Sequence, residues 1–196
     1  MEIHAWEKRY GSKERPAEDF EAAPARLLIE TAERLRPGRV LDLACGTGRN
    51  ALWLAEHGWR VTAVDGASSA IRVLRDRASQ RHLEIDTGVA DLERREFEIA
   101  PAAWDLIAIC YYLQRDLFVP AKRGVAPGGI LLAIVHTTAP GEEPTSHRLR
   151  PSELKNYFEG WQILHYYEGS PSDAAHKRPV AEIAARKSGI PRPRAF

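Results

Sequence analysis

Two glycines one residue apart, Gly46 and Gly48, lie in the run VLDLACGTGRNALWLAEHGWRVTAVD, residues 40–65, with Asp42 before them and Asp65 after. Glycines at such a spacing let the backbone turn sharply and let a ligand approach the peptide plane without meeting a Cβ atom. The free N–H groups of a helix starting at Arg49 then face that ligand. Asp65 closes the next apolar run, 17 positions after Gly48. A carboxylate there accepts both hydroxyls of a ribose and disfavours a ribose 2′-phosphate. The Gly-x-Gly spacing alone reads equally well as a tight turn. Joined to a strand, a helix, a second strand and a terminal Asp, it reads as a site for an adenosine-containing cofactor.

Which adenosine compound binds is a separate question. Ala51 stands where a dinucleotide fingerprint has its third glycine, a place where Ala is tolerated, so a nicotinamide dinucleotide stays open on the glycines alone. Asp42 favours a different ligand. A carboxylate inside the first strand, just below the turn, suits an ammonium group and repels a pyrophosphate. An amino acid joined to adenosine is S-adenosylmethionine.

Other residues with chemistry fall where two further apolar runs end. Cys110, Tyr111 and Tyr112 close one run and His136 closes another, while His147, Arg148, Asp173, His176, Lys177 and Arg178 lie in the polar stretches that follow. In open α/β sheets ligands bind beyond the carboxyl ends of parallel strands, so all of these but Cys110 are acceptor-site candidates, each with the competing reading of a solvated loop side chain. The two cysteines have no C-x-x-C spacing, so neither a disulfide framework nor a metal site is expected. Cys45 reads as a small packing residue beneath the turn.

The elements that must position these residues follow from periodicity and punctuation. A helix is expected over 17–36, ended by Pro37-Gly38, then strand 39–44, a helix from Arg49 to His57 closed by Gly58, and strand 60–65. A helix over 68–79 capped by Ser68 or Ser69 comes next, then strands 83–89 and 104–110 and a helix over 115–124. Pro127-Gly128-Gly129 turns the chain into the continuously apolar run 130–136, read as an interior strand. A long loop over 137–150, a short helix over 152–158, strands over 161–169 and 180–187 joined by loop 170–179, and a dangling tail over 188–196 complete the chain.

The 196 residues, 44% hydrophobic and 28% charged, suit one domain over 1–196 and exclude a fibrous or wholly disordered protein. Within it we expect a helical cap (1–38), a cofactor-binding core (39–136), a substrate-side loop, helix and hairpin (137–187) and a flexible tail (188–196). Lys+Arg of 28 against Asp+Glu of 27 leaves a net charge of +1, with no single-sign field to hold a polyanion or an acidic membrane. A charged N-terminus without an apolar core segment, and no apolar run of about 18 residues, point to a soluble cytoplasmic protein. The expected partner is a small molecule rather than nucleic acid or membrane, with the chain a monomer or weak homodimer.

The segments VLDLACGTGRN, VTAVD, GVADLE, WDLIAIC and APGGILLAIV resemble the successive motifs of class I S-adenosylmethionine-dependent methyltransferases. With an opening WEKRY and a terminal AARK, the chain is also similar to the tellurite-resistance and thiopurine methyltransferase-like branch. The resemblance implies a Rossmann-like, doubly wound, seven-stranded sheet, mostly parallel with an antiparallel last strand. It implies S-adenosylmethionine as cofactor and S-adenosylhomocysteine as product. Trp6, Tyr10, Asp42, Ala44, Gly46, Gly48, Arg49, Asp65, Gly66, Ala90, Asp91, Leu92 and Cys110 would form the cofactor site. There Asp91 would accept from the adenine amino group or else cap a helix, Trp6 and Tyr10 would cover the methionine end or else staple the segment to the body, and Arg49 would reach the methionine carboxylate or else face solvent. Tyr111, Tyr112, His136, His176 and Arg178 would line the acceptor side. Methyl transfer from a sulfonium is an in-line displacement that needs alignment more than a base, so no catalytic residue is singled out. The implied function is methylation of a small acceptor such as a thiol or a chalcogen oxyanion. The alternatives are a dinucleotide-dependent oxidoreductase and a non-catalytic cofactor-binding module.

Overall fold

The computed structural model describes residues 3–11, 23–139, 141–173 and 175–189. The chain divides into two compact units, residues 1–98 and 99–196, which are described one at a time.

The first unit runs α1 (Ile3–Gly11), α2 (Arg26–Ala32), β1 (Arg39–Leu43), α3 (Arg49–Glu56), β2 (Arg60–Asp65), α4 (Ser68–Gln80) and β3 (Ile85–Val89). Its strands are parallel, with Asp42 beside Ala63 and Asp65 beside Val89. After Arg39, every residue of β1 is buried, as a parallel strand covered on both faces requires. Helix α3 starts straight from Gly48, whose φ of 82° lets the chain leave the strand end and enter the helix without an intervening loop. Leu74 of α4 packs under that turn, and a Cβ on Gly48 would lie 2.2 Å from its Cδ1.

The second unit contains β4 (Trp104–Cys110), a 3-10 turn (Arg115–Leu117), α5 (Phe118–Gly124), β5 (Val125–His136), α6 (Glu153–Asn156), β6 (Gln162–Gly169) and β7 (Val180–Arg186). Strands β4 and β5 are parallel, while β7 runs antiparallel between β5 and β6. Across the chain the strand order is β3-β2-β1-β4-β5-β7-β6. This is the mostly parallel, Rossmann-like sheet of seven strands that the motifs implied, with the last strand in the chain reversed.

Several boundaries differ from expectation, each for a local reason. Helix α2 begins at Arg26, because Pro24 precedes it and the buried Asn50 carboxamide holds the Ala25 N–H at 2.9 Å; residues 17–22 of the expected helix lie outside the described residues. Strand β5 begins at Val125, so Pro127-Gly128-Gly129 lies inside it. The irregular pairing with β4 between Trp104 and Leu106 accommodates those residues, and Gly129 passes so close to the Asp105 carbonyl that a Cβ would lie 2.9 Å from it. Helix α6 spans only Glu153–Asn156 of the expected 152–158. Neither Ser68 nor Ser69 caps α4; both are helical residues, and Ala67 occupies the cap position. Of the expected tail, residues 190–196 lie outside the described residues. Among the described residues no helix is long and apolar enough to cross a membrane.

The close approach of Leu74 to Gly48 has a measurable consequence. Gly48→Ala places a side chain in left-handed backbone and against Leu74, and is expected to lower the unfolding free energy by about 2–5 kcal/mol in urea titration. Unchanged stability would contradict the close packing of α4 beneath the turn.

Candidate functional site

The turn after β1 is built from alternating left-handed residues: Ala44 at φ 55°, Gly46 at φ 55° and Gly48 at φ 82°. The Asp65 carboxylate at the end of β2 holds it in place. One oxygen accepts the Gly46 N–H and the other the Ala67 N–H, each at 2.8 Å. Burial raises the Asp65 pKa, and these two N–H donors oppose the shift. Each carboxylate oxygen keeps a lone pair beyond the one so used, which leaves acceptor capacity for two ribose hydroxyls. From the outer side, Arg77 donates to the Thr47 carbonyl at 3.1 Å.

Asp42 is the electrostatic anomaly of the first unit. It is buried, its Oδ2 has no hydrogen-bond partner, and burial together with the nearby Asp65 charge raises its pKa to about 7, with Arg49 opposing. A buried carboxylate oxygen without a donor is costly unless a cation or donor joins it. Arg49 gives its guanidinium to the Ala23 carbonyl at 3.2 Å, so it tethers the segment before α2. Cys45 is buried and its thiol is pushed well above the ordinary range, first by burial and then by Asp42 and Asp65. It packs beneath the turn and is no nucleophile.

Helix α1 lies over this turn. Trp6 and Tyr10 stack with ring centroids 5.5 Å apart, and a Cβ on Gly46 would lie 3.1 Å from the Tyr10 hydroxyl. Gly66 is close to Ile3 in the same way, at 2.7 Å. After β3, Ala90 and Leu92 are buried on either side of Asp91. One Asp91 oxygen accepts the N–H groups of Glu93 at 2.9 Å and Arg94 at 3.2 Å, so Asp91 closes a turn, and no helix starts there for it to cap. The other oxygen lies 3.9 Å from Arg94 Nε.

In the second unit, Cys110 is half-buried at the end of β4 and the next residue, Tyr111, takes φ 60°. The Tyr111 ring stacks on His176, 3.5 Å between centroids and 1° from parallel, and His136 tilts against both. His136 Nε2 and His176 Nδ1 share a hydrogen bond at 3.2 Å, and Asp173 lies 3.9 Å from His176 Nε2. Burial lowers the His136 pKa, assisted by the Arg178 and Arg148 charges. Tyr111, His136, Asp173 and His176 are thus brought together from two strand ends and the β6–β7 loop. Tyr112 turns to Gln114 at 2.9 Å, and Arg178 lies 3.7 Å from Glu142, which also binds Arg148 at 2.6 Å. Two organising residues carried no sequence signal because their partners are distant in the chain. Arg115 binds Glu153 and the carbonyls of Thr145 and Arg148, shaping loop 137–150, and Glu7 reaches across to α4.

This strand order, with a glycine turn after β1 and a carboxylate closing β2, defines a class I S-adenosylmethionine-dependent methyltransferase fold. The chain matches the model of the tellurite resistance protein TehB over residues 18–177 and belongs to that family. It is 30% identical over 152 residues to a probable S-adenosyl-L-methionine-dependent methyltransferase TehB from Haemophilus influenzae, covering 72% of this chain and 52% of that one. The chain thus spans about half the length of the curated relatives it matches. The crystal structure of TehB from H. influenzae superposes with a TM-score of 0.71 at 26% identity, over 93% of this chain and 66% of that one. A Burkholderia thailandensis 1,6-didemethyltoxoflavin-N1-methyltransferase, solved with its substrate and S-adenosylhomocysteine, shares the fold at a TM-score of 0.65 and 18% identity, over 87% of this chain and 80% of that one.

Because Asp65 secures the turn, Asp65→Ala removes two hydrogen bonds to a charged acceptor, each worth about 1.5–3 kcal/mol. Its unfolding free energy is expected to fall by about 3 kcal/mol, and Asp65→Asn, which keeps one acceptor oxygen, by roughly half as much. Equal stability of all three proteins in urea titration would show that the turn does not depend on this carboxylate.

Proposed function

We propose that this chain binds S-adenosylmethionine in its first unit and methylates a small-molecule acceptor, a thiol or a chalcogen oxyanion, for which the second unit offers candidate residues. The observation that carries the reading is the buried Asp42 Oδ2 without a donor beneath a turn whose glycines leave room for a ligand. The amino group of the methionine moiety supplies the missing cation and donor. Asp65 would hold the ribose, Ala90, Asp91 and Leu92 the adenine, and Trp6 and Tyr10 would cover the methionine end. Arg49 would reach the carboxylate only by giving up Ala23, so the backbone N–H groups of the turn are its better partners. Family membership favours this cofactor over a dinucleotide, and Asp42 supports the choice by repelling a pyrophosphate.

Bound there, S-adenosylmethionine supplies an electrophilic methyl group on a sulfonium. The chain's own residues have to fix the acceptor in line and keep water away. The His136–His176 pair suits that task. One ring donates to the other, Asp173 orients His176, and the depressed basicity of His136 keeps it neutral at pH 7, able to take a proton from a thiol or to donate to an oxyanion. Tyr111 holds His176 flat against its own ring. Cys110 would contribute a half-buried wall. Tyr112 and Arg178 are committed elsewhere and are secondary candidates.

Calorimetric titration with S-adenosylhomocysteine against NAD tests the cofactor, followed by an acceptor screen that detects S-adenosylhomocysteine as product. Cofactor binding without turnover on any acceptor would favour the non-catalytic module. The binding titration also has a pH signature. Asp42 titrates near pH 7 in the free chain and must be ionised to hold an ammonium, so affinity for S-adenosylhomocysteine is expected to fall about ten-fold per pH unit below pH 7 and to level off above it. Asp42→Asn should bind weakly at every pH without this slope, and a slope that survives the substitution would remove Asp42 from the site. On the acceptor side, His176→Ala is expected to leave S-adenosylhomocysteine affinity nearly unchanged and to lower turnover by at least about ten-fold, a barrier increase of roughly 1.4 kcal/mol. Equal turnover would return the β6–β7 loop to a structural role.

A further inference from the structure

Helix α4 begins without a cap of its own. Ala67 stands at the cap position and has no side-chain oxygen, yet the Ser69 N–H in the first turn belongs to a buried residue and needs an acceptor. A residue more than sixty positions away supplies it. The Glu7 carboxylate accepts the Ser69 N–H at 3.1 and 3.3 Å and the Ser68 hydroxyl at 2.9 Å, while the Ser69 hydroxyl donates to the Glu7 carbonyl at 3.3 Å. A negative side chain at a helix start is also favoured by the helix dipole. Burial works to raise the Glu7 pKa, and the hydrogen bonds from Ser68 and Ser69 outweigh it, leaving the group lowered and ionised at neutral pH.

Glu7 belongs to a stripe. Ile3, Glu7 and Tyr10 follow the one-face spacing of a helix. Ile3 touches Gly66, Glu7 caps α4, and Tyr10 lies against Gly46. No residue of α1 is fully buried, and its nine residues are fewer than the ~12–15 a helix needs to persist alone in water. The seating of α1 therefore depends on this stripe, and the stripe has one charged anchor.

We propose that Glu7 is the latch that seats α1 on the cofactor turn, a positioning residue that sets how long the cofactor stays bound by holding Tyr10 over Gly46 and Ile3 over Gly66. This rests on the reading of the turn as an S-adenosylmethionine site. Losing the carboxylate frees the stripe and uncovers both glycines, so the ligand leaves faster while Asp42, Asp65 and the turn stay as they were. Gly66 offers a second way to unseat the helix, since a Cβ there would lie 2.7 and 2.9 Å from Ile3.

Stopped-flow release of S-adenosylhomocysteine, read by tryptophan fluorescence, and hydrogen exchange of the α1 amides test the latch on the full chain. Glu7→Ala is expected to speed release by about ten-fold or more and to raise exchange across residues 3–11, with Glu7→Gln, which keeps an acceptor oxygen, in between. Gly66→Val, too large for the tip of Ile3 to clear, should raise exchange across residues 3–11 while leaving Glu7 in place. Unchanged release and exchange in Glu7→Ala would overturn the latch. If the parent protein binds no S-adenosylhomocysteine, the cofactor reading fails, and the exchange measurement alone still decides whether Glu7 seats α1.

Discussion

The bridge from the Asp65 carboxylate to the N–H groups of Gly46 and Ala67 is the constraint on which the rest of the first unit depends. It ties the left-handed turn after β1 to the start of α4 after β2, so two loops move as one. With that tie in place, Gly48 can open α3 directly over Leu74, and Arg77 of α4 can fasten the outer edge at Thr47. The Asp65 carboxylate is thus already oriented by two backbone donors, which leaves little further ordering for any group that donates to it.

Asp42 sets the opposite condition, a buried carboxylate with one oxygen, Oδ2, that has no donor. Its folded pKa of about 7 lies well above the ordinary 3.8, so the folded chain holds a proton that the unfolded chain releases across that interval. Stability from this group is therefore highest at acid pH and declines as pH rises from about 4 to 7. A cation beside Asp42 reverses the penalty by favouring the charged form. On the proposed reading, the cost of burying the carboxylate in the free chain becomes a preference for an ammonium-bearing ligand.

The parts of this arrangement legible in the sequence are those encoded locally. The β1–turn–α3–β2 unit announces itself because strand, glycines, helix and closing Asp lie within 27 residues, Arg39 to Asp65, and each obeys its own period. Tyr111, His136 and His176 were legible as strand-end and loop residues, although nothing in the spacing predicts that their rings meet. What stayed hidden was set by distant partners. The sequence offers Ser68 or Ser69 as the cap of α4, whereas both serines donate to Glu7. Arg178, an expected acceptor-side residue, lies 3.7 Å from Glu142, a neighbour that its position in the sequence does not announce. The Pro-Gly-Gly turn was placed before a strand that in fact absorbs it, because the strand's partner Trp104 sets its beginning at Val125.

The two units share one further device at the ends of their strands. The residue immediately after β1 is Ala44 and the residue immediately after β4 is Tyr111, and both are left-handed without being glycine. Such backbone costs roughly 1–2 kcal/mol and persists only where neighbours determine it. At Tyr111 the neighbours are explicit: its N–H donates to the Ile134 carbonyl at 2.6 Å, and its ring lies flat on His176. Glycine there would relieve the backbone and lose the ring that orients the histidine. Keeping Tyr at a strained position is therefore the choice of a sequence that needs the side chain more than the relaxed turn, and the side chain's one described aromatic stack is with a histidine hydrogen-bonded to another.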